Sequence, residues 1–163
     1  FATINVDKGE SLGVEADVRW YPADRWELYA NIGLLDATLG NFPGSRPGPS
    51  GREQAHAPRY TFAGGIVFRH PNGVFARLDA SAKDAFYYDL SHDQRSESYG
   101  LVNTRVGFEG ESWTVSLWAR NLLDESYGVR GFFFGNEPPD FPDTLYTRPG
   151  DPRQIGITAE KRF

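Results

Sequence analysis

The chain has 163 residues, a formal net charge of −5 and no cysteine, and 15% of its residues are aromatic, beside 18 glycines and 11 prolines. This composition is typical of short strands joined by turns. The acidic balance excludes nucleic acid as a partner, because such surfaces depend on clustered Lys and Arg, and the lack of cysteine excludes disulfides and thiolate metal sites.

Seven segments alternate apolar and polar residues with the period of two that is typical of β-strands. In chain order they are Val14–Trp20, Trp26–Leu34, Tyr60–Phe68, Val74–Ala82, Val102–Phe108, Trp113–Ala119 and Ile155–Phe163. In the fourth, Val74 and Leu78 alternate with Arg77 and Asp79, which is unusually charged for the inside of a small protein. No apolar run reaches the length of about 18 residues that a transmembrane helix needs, whereas alternating transmembrane strands need only about 9 to 11.

The links between these segments alternate strictly between short and long. The short links join Tyr21 to Trp26, Arg69 to Val74 and Glu109 to Trp113, and the long ones run from Asp36 to Arg59, Asp84 to Ser98 and Asp124 to Pro152. Outer-membrane barrels have short periplasmic turns and long outer loops. We therefore predict an all-β, antiparallel transmembrane barrel wall with the C-terminus on the periplasmic side. A soluble β-sandwich has the same period and stays an alternative.

Two points about strand number stay open. Seven is an odd count, whereas bacterial single-chain barrels usually have an even number of strands, so we expect seven to eight strands of a larger wall. The stretch Ala2–Asp7 either extends the first strand or ends a preceding loop. The absence of any Met leads us to expect a fragment of a longer chain.

Several short motifs occur in an order that resembles the C-terminal region of TonB-dependent outer-membrane receptors. Gly13-Val14-Glu15 and Ala57-Pro58-Arg59-Tyr60-Thr61 are similar to the family's strand entries, and Asn121–Tyr127 is similar to its Asn-Leu-x-Asp-x-x-Tyr motif. The signature positions that we carry over are Asn121, Leu122, Asp124, Tyr127, Arg153 and Phe163.

The resemblance implies a barrel of about 22 strands, plugged by an N-terminal domain and energised by the TonB complex. Residues 1–163 would form the C-terminal part of that barrel, with the plug, the earlier strands and the TonB-contacting segment upstream. It also implies the outer membrane of a Gram-negative bacterium, contact with its lipids, and recognition of Phe163 by the outer-membrane assembly machinery. The implied function is active uptake of a scarce nutrient, most often a ferric siderophore, with cobalamin, haem and glycans open.

Candidate site residues fall into two groups. Polar-parity side chains that would face the lumen, and there contact the plug or each other, are Arg77, Asp79, Lys83, Arg105 and Arg120. Aromatic residues of the long links that would contact ligand are Phe86, Tyr87, Tyr88, Phe132, Phe133, Phe134 and Tyr146. These rings would equally pack together if the strands continue above the membrane. Asn121 and Asp124 are expected to bond nearby backbone where a strand gives way to a loop.

Other functions have weaker support. A passive porin or structural barrel would lack the plug. An outer-membrane hydrolase would use His92 with Asp93, but the sequence has no Gly-x-Ser-x-Gly motif. His56 and His92 would be haem ligands, and the calcium ligands would be Asp84, Asp89, Asp93 and Glu97, but neither set has the motif or ligand spacing of a known site. We predict no catalytic residue, no cofactor and no resident metal.

Overall fold

The computed structural model describes residues 8–41 and 51–163, and all of its regular structure is antiparallel β. The strands are β1 (Gly9–Ala23), β2 (Trp26–Leu39), β3 (Arg52–Glu53), β4 (Tyr60–Arg69), β5 (Val74–Lys83), β6 (Tyr99–Glu109), β7 (Trp113–Arg120), β8 (Gly128–Phe134), β9 (Thr144–Pro149) and β10 (Gln154–Lys161). Within these two ranges no helix is long and apolar enough to cross a membrane.

The main sheet places its strands in the order β1-β2-β4-β5-β6-β7-β10, with the short β3 pairing to the end of β2. Every neighbouring pair is antiparallel, so successive strands of the sheet run in opposite directions. The seven predicted segments are confirmed as the seven long strands of this sheet. The hairpin of β8 and β9 forms a separate two-stranded sheet between β7 and β10.

The two faces of the main sheet differ in polarity. In-register pairs such as Ile32 with Phe62 keep apolar side chains opposite apolar ones, and Asp79 with Asn103 lies on the other face. The apolar face has no covering layer among the described residues, so Leu117 is 50% exposed and Ile157 is 74% exposed. A soluble sandwich would bury such a face, because large exposed apolar patches mark a surface that meets lipid or another protein. The soluble-sandwich alternative is therefore disfavoured.

The three predicted short links are confirmed, because only residues 24–25, 70–73 and 110–112 separate the strands that they join. In the middle one, Asn72 Oδ1 accepts a hydrogen bond from the amide of Val74 at 3.1 Å. Gly73 has a φ of +95°, a backbone conformation that L side chains rarely adopt, and its amide donates to the carbonyl of His70 at 3.0 Å. This turn geometry fixes the register of β4 against β5.

Strand bounds depart from the sequence prediction at the end of the sheet where the long links lie. Strand β2 continues to Leu39 and β6 begins at Tyr99, so these strands extend further towards the long links than the alternation predicted. Strand β10 ends at Lys161 rather than at Phe163. The hairpin β8–β9 was not predicted, because Phe132, Phe133 and Phe134 fill both parities and hide the period of two. The stretch Ala2–Asp7 lies outside the described residues.

Gly156 leaves space for the ring of Trp118 on the polar face of the sheet, and this packing can be tested by substitution. A Cβ at Gly156 would lie 2.3 Å from Trp118 Cζ2. Gly156→Ala should therefore displace the ring and break the 3.1 Å bond from Trp118 Nε1 to Thr158 Oγ1. We expect a loss of roughly 1–3 kcal/mol of stability, as for overpacked cores. The measurement is heat-dependent gel mobility of the full-length protein in detergent.

The matched control is Gly100→Ala in β6, where the added Cβ would meet only the Ser81 carbonyl oxygen at 3.5 Å, an ordinary contact. Equal melting of both variants would contradict the role of Gly156.

Candidate ligand site in the long loops

The three long links come together at one end of the sheet and form what we call the long-loop cluster, residues 51–59, 84–98 and 121–153. Two guanidinium groups lie over the ring of Tyr87, with Arg52 Cζ 4.4 Å and Arg95 Cζ 4.7 Å from its centroid. Arg52 is only 5% exposed, and it donates to Asp93 Oδ1 at 3.1 Å and to the carbonyl of His92. Residues 51–59 and 84–98 are thereby fastened to each other.

The predicted ligand-contact residues Phe86 and Tyr88 pack inside this cluster. Phe86 is 1% exposed, and its ring centroid lies 5.2 Å from that of His56 and 5.7 Å from that of Tyr88. The Tyr88 ring also lies against Gly131, where an added Cβ would be 2.5 Å from Tyr88 Cγ. Burial, and secondly the charge of Glu97, raises the pKa of Tyr88. This burial favours a supporting role for the two rings, and ligand contact by Phe86, Tyr87 and Tyr88 stays a prediction.

A cleft of about 750 Å³ separates the polar face of β1 and β2 from residues 54–58, and His56 and Glu15 line it. Burial, followed by the positive charges of Arg130 and Lys83, lowers the pKa of His56. These effects favour the neutral form of the His56 imidazole. Its φ of +58° and its contact with Phe86 explain its place in the packing without a haem group.

The hairpin β8–β9 has two distinct faces. A register shift between Gly128 and Arg130 determines which residues of β8 lie on each face. The inner face, with Gly131 and Phe133, packs on residues 84–98. The opposite side, which we call the outer aromatic face, consists of Arg130, Phe132, Phe134, Tyr146 and Arg148. Its three rings are 40%, 47% and 39% exposed in that order. Of the predicted contact residues, these three are therefore the most accessible, whereas Phe133 is half-buried.

Histidine 92 joins residues 84–98 to the hairpin. Its ring stacks on Phe133 with centroids 3.6 Å apart. Its Nδ1 lies 2.6 Å from Asp89 Oδ2, and its Nε2 lies 3.7 Å from Asp143 Oδ2. The predicted partner Asp93 instead accepts from Arg52. The pair required by a hydrolase is thus not assembled at His92, and no Ser or Thr hydroxyl of the described residues hydrogen-bonds to the imidazole.

The signature residues close the base of the last long link. Asn121 is buried with a φ of +47°, and its Nδ2 donates to the carbonyls of Glu125 at 2.9 Å and Asp151 at 3.1 Å. Its Oδ1 accepts from the amide of Glu125 at 2.9 Å. Asp124 Oδ1 accepts from the amide of Arg153 at 2.9 Å. Asn121 thus bonds the nearby backbone of Glu125, as expected for a residue at a strand end. Its bond to Asp151 and the bond of Asp124 to Arg153 instead join backbone 30 and 29 positions away.

Two further signature residues, Leu122 and Tyr127, also make contacts at the base of the last long link. The amide of Leu122 donates to the carbonyl of Val102 at 2.7 Å. Tyr127 lies over Gly150, where a Cβ would be 2.0 Å from Tyr127 Cζ, and its ring centroid is 4.4 Å from that of Tyr99. Phe163 is fully exposed. None of these contacts requires a ligand.

The predicted lumen-facing side chains share the polar face of the sheet. Arg77 donates to both carboxylate oxygens of Asp79 at 2.8 Å, and Tyr29 also donates to Asp79. Arg105 Nε donates to Ser116 Oγ at 2.9 Å. A cleft of about 360 Å³ between Arg77 and Glu160 is also lined by Arg105 and Arg120. Lys83 lies apart from this cleft, with Nζ 4.4 Å from the centroid of Phe86.

The acidic residues considered for calcium are engaged separately. Asp84 Oδ1 accepts from the amide of Ala85, and Asp89 Oδ1 accepts from the amides of Ser91 and His92. Across residues 8–41 and 51–163, no group of three or more His, Cys, Asp or Glu side chains is placed to hold a metal ion.

Sequence reasoning did not identify Arg52, Tyr29, Arg130 or Arg148. Arg52 follows a Gly- and Pro-rich stretch without periodicity, so no pattern marks it as buried. Tyr29 was visible as a polar-parity residue, but its bond to Asp79 requires the intervening strand to carry Gly65, where a Cβ would lie 2.6 Å from the Tyr29 hydroxyl.

Comparisons with known proteins agree on one family. A family model described as "TonB dependent receptor-like, beta-barrel" matches residues 1–122. The pesticin receptor of Yersinia pestis is 22% identical over 136 residues, which cover 81% of this chain and 20% of the relative. The pesticin receptor of Yersinia enterocolitica has the same identity and coverage. The chain thus spans about a fifth of the length of the curated relatives that it matches.

Solved structures show the same fold. The crystal structure of the ferric yersiniabactin uptake receptor FyuA from Yersinia pestis superposes with a TM-score of 0.81 at 22% identity, covering 98% of this chain and 24% of that one. The siderophore receptor PiuA from Acinetobacter baumannii gives 0.72 at 16% identity, covering 93% and 21%. The ferric-catecholate import receptor Fiu from E. coli K12 gives 0.73 at 16% identity, covering 95% and 21%.

The contact between His92 and Asp89 predicts how the stability of the hairpin depends on pH. Burial alone would raise the pKa of Asp89, but the hydrogen bonds from His92 and Ser91 outweigh it, so this pKa lies below its ordinary value of 3.8. A carboxylate whose pKa is lower in the folded state stabilises the fold at pH values above its ordinary pKa. That stabilisation is lost as the pH falls through the pKa of the folded state. Hydrogen-exchange protection of residues 128–149 should therefore fall at pH values below 3.8.

His92→Ala should lower that protection already at neutral pH, roughly fivefold, equivalent to loss of about 1 kcal/mol. The control is Asp140→Asn at the exposed hairpin tip. If His92→Ala and Asp140→Asn give the same protection factors, His92 does not hold the hairpin.

Proposed function

The chain belongs to the TonB-dependent receptor-like β-barrel family, and from this premise we propose that it forms the C-terminal wall and outer loops of an outer-membrane receptor that imports a ferric siderophore by TonB-energised transport. One observation carries the proposal: a sheet that is apolar on one face and charged on the other leads into a loop cluster with accessible aromatic rings. The names of FyuA, PiuA and Fiu support the choice of ligand class.

In this proposal the apolar face contacts the lipids of the outer membrane of a Gram-negative bacterium. Trp20, Trp26 and Trp113 lie on that face beside the short turns, and each is exposed. Aromatic rings at this height are typical of the interfacial girdle of outer-membrane barrels. The short-turn end, with the C-terminus, would then be periplasmic.

The polar face would line the lumen. Residues 1–163 would supply about a third of the wall, and the plug and earlier strands would come from the remainder of the protein. The carboxylate of Asp79 is already satisfied by Arg77 and Tyr29, whereas Arg120 has only a contact with the Trp118 ring, at 5.4 Å, among the described residues. Arg120 would therefore meet the plug first, with Arg105 beside it in the same cleft, and the TonB complex would act through the N-terminal part of the whole protein.

The ligand would first meet the outer aromatic face. Phe132, Phe134 and Tyr146 are accessible there, while Phe86 and Tyr88 support the hairpin from below. The alternative function is a passive porin or structural barrel with the same wall. The proposed function is transport and includes no catalytic step.

Uptake measurements separate these functions. Cells that express the full-length gene should accumulate radioactive iron from a ferric siderophore only when the TonB complex is intact. The purified receptor should need detergent and should show saturable quenching of tryptophan fluorescence by the same complex. Uptake that persists without the TonB complex would favour the passive barrel, and a detergent-free monomer would contradict the membrane assignment.

Orientation is tested by labelling of single cysteines, because this part of the chain contains none. Asp140→Cys at the hairpin tip should react with a membrane-impermeant maleimide on intact cells, whereas Glu111→Cys in the turn between β6 and β7 should react only after lysis. The unsubstituted receptor is the control. The reverse pattern would place Phe163 outside, where the periplasmic assembly machinery could not meet it, and would remove that partner as well.

A further inference from the structure

Two arginines face each other across the hairpin. Arg130 of β8 and Arg148 of β9 are direct cross-strand partners on the outer aromatic face. Side chains in such positions have Cβ atoms about 4.5–5.5 Å apart, and like charges there destabilise a hairpin. The arrangement occurs in a chain whose net charge is −5. A pair of guanidinium groups in this position is unfavourable unless an anion joins them.

No carboxylate of the described residues provides that anion. Within residues 8–41 and 51–163, neither Arg130 nor Arg148 forms an ion pair, and the one ring contact of the pair is Arg130 Cζ, 4.6 Å from the centroid of Phe132. The acidic residues of the hairpin, Glu137, Asp140 and Asp143, lie in the link between the two strands, and Glu137 Oε1 accepts a hydrogen bond from the Tyr146 hydroxyl at 3.3 Å. The hairpin is thus basic at its base and acidic at its tip.

Aromatic rings adjoin the arginine pair. Phe132 lies one pair further along the face, directly opposite Tyr146, and Phe134 follows with its ring centroid 6.1 Å from that of Phe132. Arginine donates charge-assisted hydrogen bonds to oxyanions, and exposed rings stack on planar aromatic groups. Both features lie on the same accessible surface.

We propose that Arg130 and Arg148 form an anion-binding subsite that selects, together with Phe132 and Tyr146, ligands that carry negative charge next to aromatic rings. The inference rests on the proposed function and deepens it: the imported siderophore is anionic and aromatic rather than neutral and aliphatic. Arg130 and Arg148 are specificity residues, and the stacked rings hold the planar part of the ligand.

The test uses the full-length receptor in detergent and two probes, the anionic ferric complex of a tris-catecholate and the neutral ferric complex of a tris-hydroxamate. The central variant is Arg148→Glu, which places a carboxylate opposite Arg130 and so converts a repulsive cross-strand pair into an attractive one. Hairpin protection in hydrogen exchange should stay equal or rise, while affinity for the catecholate complex should fall roughly tenfold or more.

Arg148→Gln should give a smaller loss, and higher salt should weaken binding to the native receptor more than to Arg148→Glu. The charge-matched control is Arg25→Gln in the exposed turn between β1 and β2, which should bind like the native receptor.

Three results would overturn the inference while leaving uptake standing: preference for the hydroxamate complex, catecholate binding that Arg148→Glu does not change, or loss of hairpin protection in the ligand-free Arg148→Glu receptor with unchanged affinity. The last would mean that an acidic side chain from elsewhere in the barrel neutralises the pair. Binding of no ferric complex by the native receptor, with no uptake, would remove the proposed function and this inference together.

Discussion

The whole structure depends on the register of an antiparallel ladder. Because side chains alternate with period two, one row of partners stays on one face from strand to strand: Trp20, Leu28, Ile66, Leu78, Thr104, Ala119 and Ile155 are linked in this way across the sheet. A slip of one residue in any pair would send the charged parity into the apolar environment. The tight turn at Gly73 and the neighbouring short turns prevent that slip by fixing where each strand begins.

Above the wall the chain uses another kind of support. The long-loop cluster buries the rings of Phe86 and Tyr88, and it is also held by stacked rings and guanidinium groups. The contact of Arg52 with Tyr87 and the stacking of His92 on Phe133 join segments that are far apart in sequence. Because such contacts depend on several groups at once, we expect the loops to become ordered as a unit rather than one at a time.

The wall could be predicted from the sequence and the loops largely could not, for a physical reason. Alternation is a local property, so each of the seven strands could be recognised from its own residues. Whether a loop aromatic is buried depends on distant partners: Phe86 and Phe132 look alike in sequence, yet His56 and Tyr88 cover the first and leave the second accessible. The role of Asn121 at a strand end was expected, but its bond to the carbonyl of Asp151, 30 positions away, requires the closed loop.

In the proposed function, the two faces of the hairpin separate attachment to the loops from recognition of ligand. Residues of one parity hold β8 and β9 against residues 84–98, and residues of the other parity point to the exterior. Substitutions on the exterior parity therefore leave the attachment intact, whereas those on the interior parity do not. Under natural selection, a lineage could exchange one ligand preference for another through single codon changes at alternate positions, while the barrel beneath keeps its shape.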